Sequence, residues 1–293
     1  ARLDAFLTAN SFRFVELNAE VPAGIGYMDE MSRIYRQLPV FQQFVKRYPV
    51  RFVSPLEHTI QGLVRIYHEE FGGTERLPTF AIVDNLDVPT YPEFQLIKQY
   101  LERLGYNTEI CDPRHLECRD GWIYANGRKI DILYRRLLMN DFFKIQPECQ
   151  AYLEGYKAQK TCYLNSFRSK LVHKKMIFAL LTDAEYTSVL DRGELEAIRN
   201  HIPWTRKLKA SMVRYRGSRV DLLELIRRDK NNYILKPNDD YGGHGVVLGF
   251  QESQAEWETA INQALQLDYV VQEIIEIGKE PFWLPVEGSW KPV

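Results

Sequence analysis

The chain has 293 residues, 45% of them hydrophobic and 26% charged, with 38 lysines and arginines against 39 acids. That length suits a large core and favours two domains. A net charge of −1 gives no electrostatic footprint for nucleic acid or an anionic membrane. No apolar run reaches the roughly 18 residues a bilayer crossing needs, and no signal-peptide pattern opens the chain. The four cysteines, Cys111, Cys118, Cys149 and Cys162, form no C-x-x-C pair and no zinc spacing, so reduced thiols in a cytoplasmic protein are expected. The start at Ala1 and the end at Trp290-Lys291-Pro292-Val293 lead us to expect a fragment of a longer protein.

Residues 12–18 alternate like a half-buried strand. With 2–7 they make a hairpin whose tight loop lies near Ala9–Ser11, where Thr8, Asn10 and Ser11 suit a turn. This register sets Asp4 opposite Glu16 and Arg2 opposite Asn18, all four on one face. Leu3, Ala5, Leu7, Val15 and Leu17 fall on the other. Facing carboxylates have Cβ atoms about 5 Å apart and repel. A cation between them removes that cost, and Mg²⁺ suits one or two carboxylates completed by phosphate oxygens. Asn18 adds a neutral oxygen, and Arg2 stands beside the metal as a phosphate clamp. Alone, the same residues also fit an exposed hairpin with coincidental charges.

Helical patterns run over 28–46 and 57–71, the second stopped at Phe71-Gly72-Gly73-Thr74. A βαβ pattern follows: strand Thr79–Val83, helix Tyr91–Leu104, strand Asn107–Cys111. Residues 116–135 read as a meander, with Asp120-Gly121 and Asn126-Gly127 as hairpin turns. Residues 130–136 form a strand ending in Arg135 and Arg136. These arginines bind a substrate carboxylate or pair with acids such as Asp131 or Glu117. A helix is predicted over 169–181, N-capped by Ser169, with Lys175 before its apolar run.

From 219 the pattern alternates: a helix at 219–228, strand 232–236, a glycine-rich turn, strand 245–250, helix 254–266, strand 269–275. Lys236 ends a strand ahead of Gly242, Gly243 and Gly245, an arrangement that suits a flap over phosphates. No G-K-[ST] follows, so it is not a Walker loop, and a strand rather than a helix follows the glycines, unlike a dinucleotide fingerprint. Gln272 and Glu273 end a short apolar strand whose backbone can meet an adenine edge. A solvated hairpin and an ordinary buried strand fit these segments too. A redox or nucleotide-sugar enzyme using 77–112 is weaker, since Asp84-Asn85-Leu86-Asp87 replaces the glycine fingerprint.

Five stretches in this order resemble the circularly permuted ATP-grasp family that includes glutathionylspermidine synthetases. They are R-L-D…V-E-L-N-A-E-V-P-A-G (2–24), I-D-I-L-Y-R-R-L-L (130–138), L-N-S-F-R-S-K…H-K-K-M-I-F-A-L-L (164–181), Y-I-L-K-P-N-D-D-Y-G-G-H-G-V-V-L-G (233–249) and Y-V-V-Q-E (269–273). In ordinary ATP-grasp enzymes the lysines and adenine hinge precede the acidic metal strands. Here the acidic hairpin comes first, as a permutation would give.

The resemblance implies an α+β, circularly permuted ATP-grasp fold. Its parts would be 1–76 with the metal hairpin, a small α/β substrate domain at 77–140, and a nucleotide-binding part at 141–293, cut short at its end. It implies Asp4, Glu16 and Asn18 as Mg²⁺ ligands and Arg2 on the transferred phosphate. Lys175 and Lys236 become the nucleotide lysines, Gly242, Gly243 and Gly245 the flexible loop, and Gln272, Glu273 and Ile275 part of the adenine hinge. The implied activity is ATP- and Mg²⁺-dependent joining of a small carboxylic acid to an amine through an acyl phosphate. The alternative is an inactive ATP-grasp scaffold. Nothing resembles the amidase domain that some glutathionylspermidine enzymes carry.

Overall fold

The computed structural model describes residues 1–8, 10–72, 77–240 and 242–277, with the backbone of Pro281–Leu284 and Ser289–Pro292. Ala9, Gly73, Thr74 and Tyr241, named above, lie outside the described residues. The chain divides into two compact units, one of residues 1–18 with 170–293, the other of residues 19–169. This division departs from the expected boundaries at 76 and 140. The cause is packing: Leu56, Ile60, Leu63 and Tyr67 share a core with Phe80, Ile82, Phe94 and Ile132.

The chain opens with β1 (Arg2–Leu7) and β2 (Phe12–Asn18), paired antiparallel with Arg2 opposite Asn18 and Asp4 opposite Glu16. The Thr8 N–H donates to the Ser11 carbonyl at 2.8 Å and closes the loop. A bulge between Asp4 and Ala5 then sets Ala5 opposite Phe14. Val15 is the extra residue, so it leaves the apolar face on which simple alternation had put it.

In residues 19–169, α1 (Ile25–Gln37), α2 (Pro39–Arg47) and α3 (Pro55–Phe71) come first. The helix expected over 28–46 is broken at Leu38, because Pro39 forces its predecessor into extended backbone, φ −69° and ψ 127°. Then come β3 (Phe80–Val83), α4 (Tyr91–Arg103), β4 (Thr108–Cys111), β5 (Glu117–Arg119), β6 (Trp122–Ala125), β7 (Arg128–Lys129), β8 (Ile132–Arg135), α5 (Met139–Ile145), α6 (Gln150–Ala158) and β9 (Cys162–Leu164). Four strands form a parallel sheet in the order β4-β3-β8-β9.

Its strands alternate between two cores. Phe80, Ile82, Ile132 and Tyr134 face α3 and α4; Ala81, Val83 and Leu133 face Phe142 and Tyr152 of α5 and α6. The expected meander over 116–135 is only partly one. β5, β6 and β7 make hairpins at Asp120-Gly121 and Asn126-Gly127, all with positive φ, whereas β8 joins the parallel sheet. Cys111, Cys149 and Cys162 are buried, and all four cysteines are free thiols.

The chain continues through α7 (Ser169–His173), α8 (Met176–Leu181), α9 (Arg192–His201), β10 (Thr205–Lys207), β11 (Met212–Tyr215), β12 (Ser218–Asp221), α10 (Leu222–Arg228), β13 (Tyr233–Pro237), β14 (Val247–Leu248), α11 (Gln254–Ala264), β15 (Tyr269–Glu273), β16 (Pro281–Leu284) and β17 (Ser289–Pro292). The expected helix at 219–228 begins as a strand. Asp221 caps α10 by accepting from the Glu224 N–H, so the helix starts only at Leu222. An antiparallel sheet runs β10-β15-β13-β14. One face packs Tyr233, Leu235 and Val271 against Leu222, Ile226, Trp257 and Ile261 from α10 and α11. Each such buried side chain contributes about 1.5–3 kcal/mol. The other face carries Ile234, Lys236 and Gln272 toward a cavity. Among the described residues no helix is long and apolar enough to cross a membrane.

Candidate functional site

A cavity of about 490 Å³ opens within the unit of residues 1–18 and 170–293. Glu16, Lys175, Lys236, Gly243, Gln272, Glu273 and Ile275 line it, so seven of the residues singled out above come together here. Alternation explains three of them. Tyr233 and Leu235 point into the core, which sends Ile234 and Lys236 to the cavity; Gln272 follows Val271 in the same way.

The expected helix over 169–181 is interrupted at Lys174-Lys175, and the interruption brings Lys175 inward. Asn238 holds the break. Its carbonyl accepts from the Lys175 N–H at 3.0 Å, and its side-chain oxygen accepts from the Met176 N–H at 2.8 Å. Its amide nitrogen donates to Asp268 at 2.6 Å. Lys175 Nζ then donates to the Asp240 carbonyl at 2.6 Å and stands 3.2 Å from Glu16 Oε1. That is ion-pair distance, yet the alignment is wrong for a hydrogen bond, and Glu16 Oε1 is buried without one.

Lys236 is 9% exposed. Its ammonium donates to Gln272 Oε1 at 2.7 Å and to the Val15 carbonyl at 3.2 Å. An ammonium has three donors, so one is left for a ligand. Burial pushes this lysine down to about 8; Glu16 opposes the shift and Lys175 adds to it. Gln272 is itself oriented. The Thr205 hydroxyl donates to the Pro203 carbonyl at 2.9 Å and accepts from Gln272 Nε2 at 2.9 Å, which turns Oε1 toward Lys236. The Gln272 side chain is thus engaged with a lysine.

Glu273 accepts from the Tyr215 hydroxyl at 2.7 Å and lies 3.4 Å from Arg216. Gly242, Gly243 and Gly245 all have positive φ, a conformation that L side chains resist. A Cβ on Gly245 would lie 2.8 Å from both Pro237 Cγ and Tyr269 Oη. The strand expected at 245–250 shrinks to Val247–Leu248, because these turns consume its start.

Asp4 and Asn18 share the predicted face with Glu16, but they do not line the cavity. Arg2 Nε donates to Asp4 Oδ1 at 2.6 Å, and Asn18 Nδ2 donates to Asp4 Oδ2 at 3.1 Å. Among the described residues no three His, Cys, Asp or Glu side chains gather as a metal site. The donor set on offer is two carboxylates and an amide. It fits Mg²⁺, which completes its octahedron with phosphate oxygens and water. The buried Glu16 oxygen without a hydrogen bond is the observation on the side of that fit.

Arg135 and Arg136 do not await a substrate carboxylate. Arg135 pairs with Glu20 at 3.2 Å and donates to the Asn165 carbonyl at 2.7 Å. Arg136 pairs with Glu93 at 2.8 Å and donates to the Pro22 carbonyl at 2.6 Å. All four side chains are buried, and both glutamates are distant in sequence, so nothing local announced the pairing. The sequence reading also gave no site role to Thr205, which accepts from Gln272, or to Val15, whose carbonyl accepts from Lys236. Thr205 lies in the three-residue polar strand Thr205–Lys207, which carries no apolar alternation, and a bulge such as that at Val15 leaves no compositional trace.

No family model matches the chain. It is similar to the uncharacterized protein Rv2411c of Mycobacterium tuberculosis, 23% identical over 297 residues, which covers 96% of this chain and 49% of that protein. The uncharacterized protein Mb2434c of Mycobacterium bovis matches with the same figures. The uncharacterized protein ML0605 of Mycobacterium leprae is 20% identical over 288 residues, covering 93% and 47%. The chain spans about half the length of the curated relatives it matches. Among solved structures, D-cycloserine synthetase DcsG aligns at a TM-score of 0.37 and 15% identity, over 67% of this chain and 58% of that one.

Proposed function

We propose that the chain carries the nucleotide site of an ATP-grasp-type carboxylate–amine ligase, with ATP in the cavity between Lys236 and the Gln272–Ile275 strand end. The observation that carries this reading is the convergence of the buried Lys236, the partly buried Lys175, a carboxylate and an apolar strand end on one cavity. An adenine ring suits the apolar wall of Ile234, Leu248, Ile274 and Ile275. The phosphates suit Lys175 and Lys236, and the glycine turn at 242–245 gives backbone N–H groups close approach.

In this reading Glu16, Asp4 and Asn18 hold Mg²⁺, which when bound offsets charge on the transferring phosphoryl group. Arg2 leaves Asp4 and turns to that phosphoryl group. The reaction is phosphorylation of a carboxylate followed by displacement of phosphate by an amine. This chemistry depends on positioning and charge neutralisation, with no covalent nucleophile on the protein.

Calorimetry with ATP and Mg²⁺ tests the nucleotide site. Wild type is expected to bind, and Lys236→Ala to bind at least tenfold more weakly. A wild-type chain that gives no heat sinks the reading. Glu16→Gln is expected to abolish the Mg²⁺ dependence. A second reading, a binding module without turnover, has the Arg2–Asp4 pair on its side, since that pair holds one metal carboxylate. Nucleotide binding without phosphate release from any acid and amine pair would favour it.

A further inference from the structure

Residues 19–169 open with two helices whose apolar sides face water. In α1, Met28, Met31, Ile34 and Tyr35 recur at helical spacing along one side and are 42–59% exposed. A surface helix ordinarily turns such a stripe inward. Here the body takes another side of α1: the Gly26 N–H donates to Glu93, and Asp29 accepts from the Ser54 hydroxyl. α2 buries no residue at all. Val40, Phe44, Val45 and the capping Tyr48 share one side of it, 41–74% exposed, with Gln42, Gln43 and Lys46 on the other. Phe52 links the two helices. Arg36 of α1 lies 4.2 Å over its ring, and Phe41 of α2 meets it edge-on at 5.6 Å.

The charge on this segment has one sign. Residues 31–53 hold five cations and no acid, although the whole chain balances to −1. Arg33 pairs with Glu30. Among the described residues no acid lies within ion-pair distance of Arg36, Lys46, Arg47 or Arg51. An acid-free, cationic segment that exposes an apolar stripe has the composition of a helix lying in a membrane interface.

We infer that the α1–α2 surface docks on an anionic lipid bilayer. Met28, Met31, Val40 and Phe44 enter the acyl boundary. Arg36, Lys46, Arg47 and Arg51 reach the phosphate headgroups, on stems long enough to leave the apolar side in the lipid. The rings of Tyr35 and Tyr48 bury their apolar bodies and keep their hydroxyls at the water level. An acidic protein surface is the poorer match. Its carboxylates are fixed, whereas these four cations are spread over α1, α2 and the loop after them, a spacing that diffusing headgroups meet without design.

The test is flotation of the whole chain with vesicles of phosphatidylcholine alone and of phosphatidylcholine and phosphatidylglycerol in equal parts, with no nucleotide present. Binding to the anionic vesicles alone is expected, weakened by added salt. Arg47→Glu should weaken it at least fivefold. Lys157→Glu makes the same charge change on α6, across the sheet from α1, and should leave it unchanged. Methionine methyl NMR of the unmodified chain covers the case in which a variant fails to fold: a lipid with a gadolinium-chelating headgroup should broaden Met28 and Met31 before Met139 of α5. Equal binding to neutral vesicles, binding to neither, an equal loss in Lys157→Glu, or sharp Met28 and Met31 signals overturns the inference. Self-association without flotation, abolished by Arg47→Glu, would give the surface to a second copy instead. Because nucleotide is absent, the outcome is independent of the nucleotide site.

Discussion

Lys236 is charged only while the pH stays near or below 8, because burial disfavours its ammonium form. The sign for ligand binding follows. A phosphate attracts the protonated lysine, so ATP affinity should hold from pH 6 to 7.5 and fall about tenfold by pH 9. Titration calorimetry across that range measures it. Gln272→Glu places a carboxylate against the ammonium, raises its midpoint and should move the fall to higher pH. A pH-flat affinity in the wild type would detach Lys236 from the nucleotide. Thr205 belongs to the same chain of hydrogen bonds. Thr205→Val leaves the buried Gln272 Nε2 without its acceptor, at a cost of about 1–3 kcal/mol. Thr205→Ser should restore both stability and ATP affinity, read by urea unfolding and calorimetry. A stability loss in Thr205→Ser with none in Thr205→Val would assign the effect to the methyl group.

At the scale of elements, much of the hairpin was readable. Arg2 opposite Asn18 and Asp4 opposite Glu16 follow from turn residues and period-two alternation, and the pairing has that register. The βαβ segment was legible for another reason: Phe80–Val83 is an unbroken apolar run, and Gly105, with positive φ, stops the helix before Thr108–Cys111, which pairs parallel to it. The helix over 169–181 was not, because what breaks it is Asn238, far along the chain. No local propensity contains that contact. Asn238→Ala removes the acceptor for the Met176 N–H and the donor to Asp268. It should cost about 1–3 kcal/mol in chemical denaturation and loosen Lys175, with weaker ATP binding at unchanged secondary structure. Undiminished stability would mean that α8 starts at Met176 without it. Gly249 tests the neighbouring turn more severely. A Cβ there would lie 2.0 Å from the Lys230 carbonyl oxygen, a backbone atom, so Gly249→Ala should lower the melting temperature by several degrees.

The whole molecule is two units of different connectivity. Residues 19–169 run continuously and carry both cores of their sheet, so that segment expressed alone should unfold cooperatively with ordered aromatic circular dichroism. A molten product would refute its independence. The other unit is assembled from two distant segments, and deletion of residues 1–18 should abolish ATP binding by removing Glu16 and the Val15 carbonyl. The expected division followed the βαβ pattern and the resemblance, which joined the helices up to residue 76 to the hairpin; the packing of Leu56, Ile60, Leu63 and Tyr67 on Phe80 and Phe94 sets them with the sheet instead.

That split connectivity sets a timetable for synthesis. Val15 and Lys236 meet across 221 positions. At about 5–20 residues per second, the hairpin leaves the ribosome roughly 10–40 seconds before its partner lysine is made. Residues 19–169 can close in the interval; the hairpin cannot. Leu3, Phe6, Leu7 and Phe12 are 39–79% exposed even in the finished fold, and they are more so while they wait. The hairpin is therefore made well before the lysine that its Val15 carbonyl meets, and it is where a nascent-chain chaperone would find its grip.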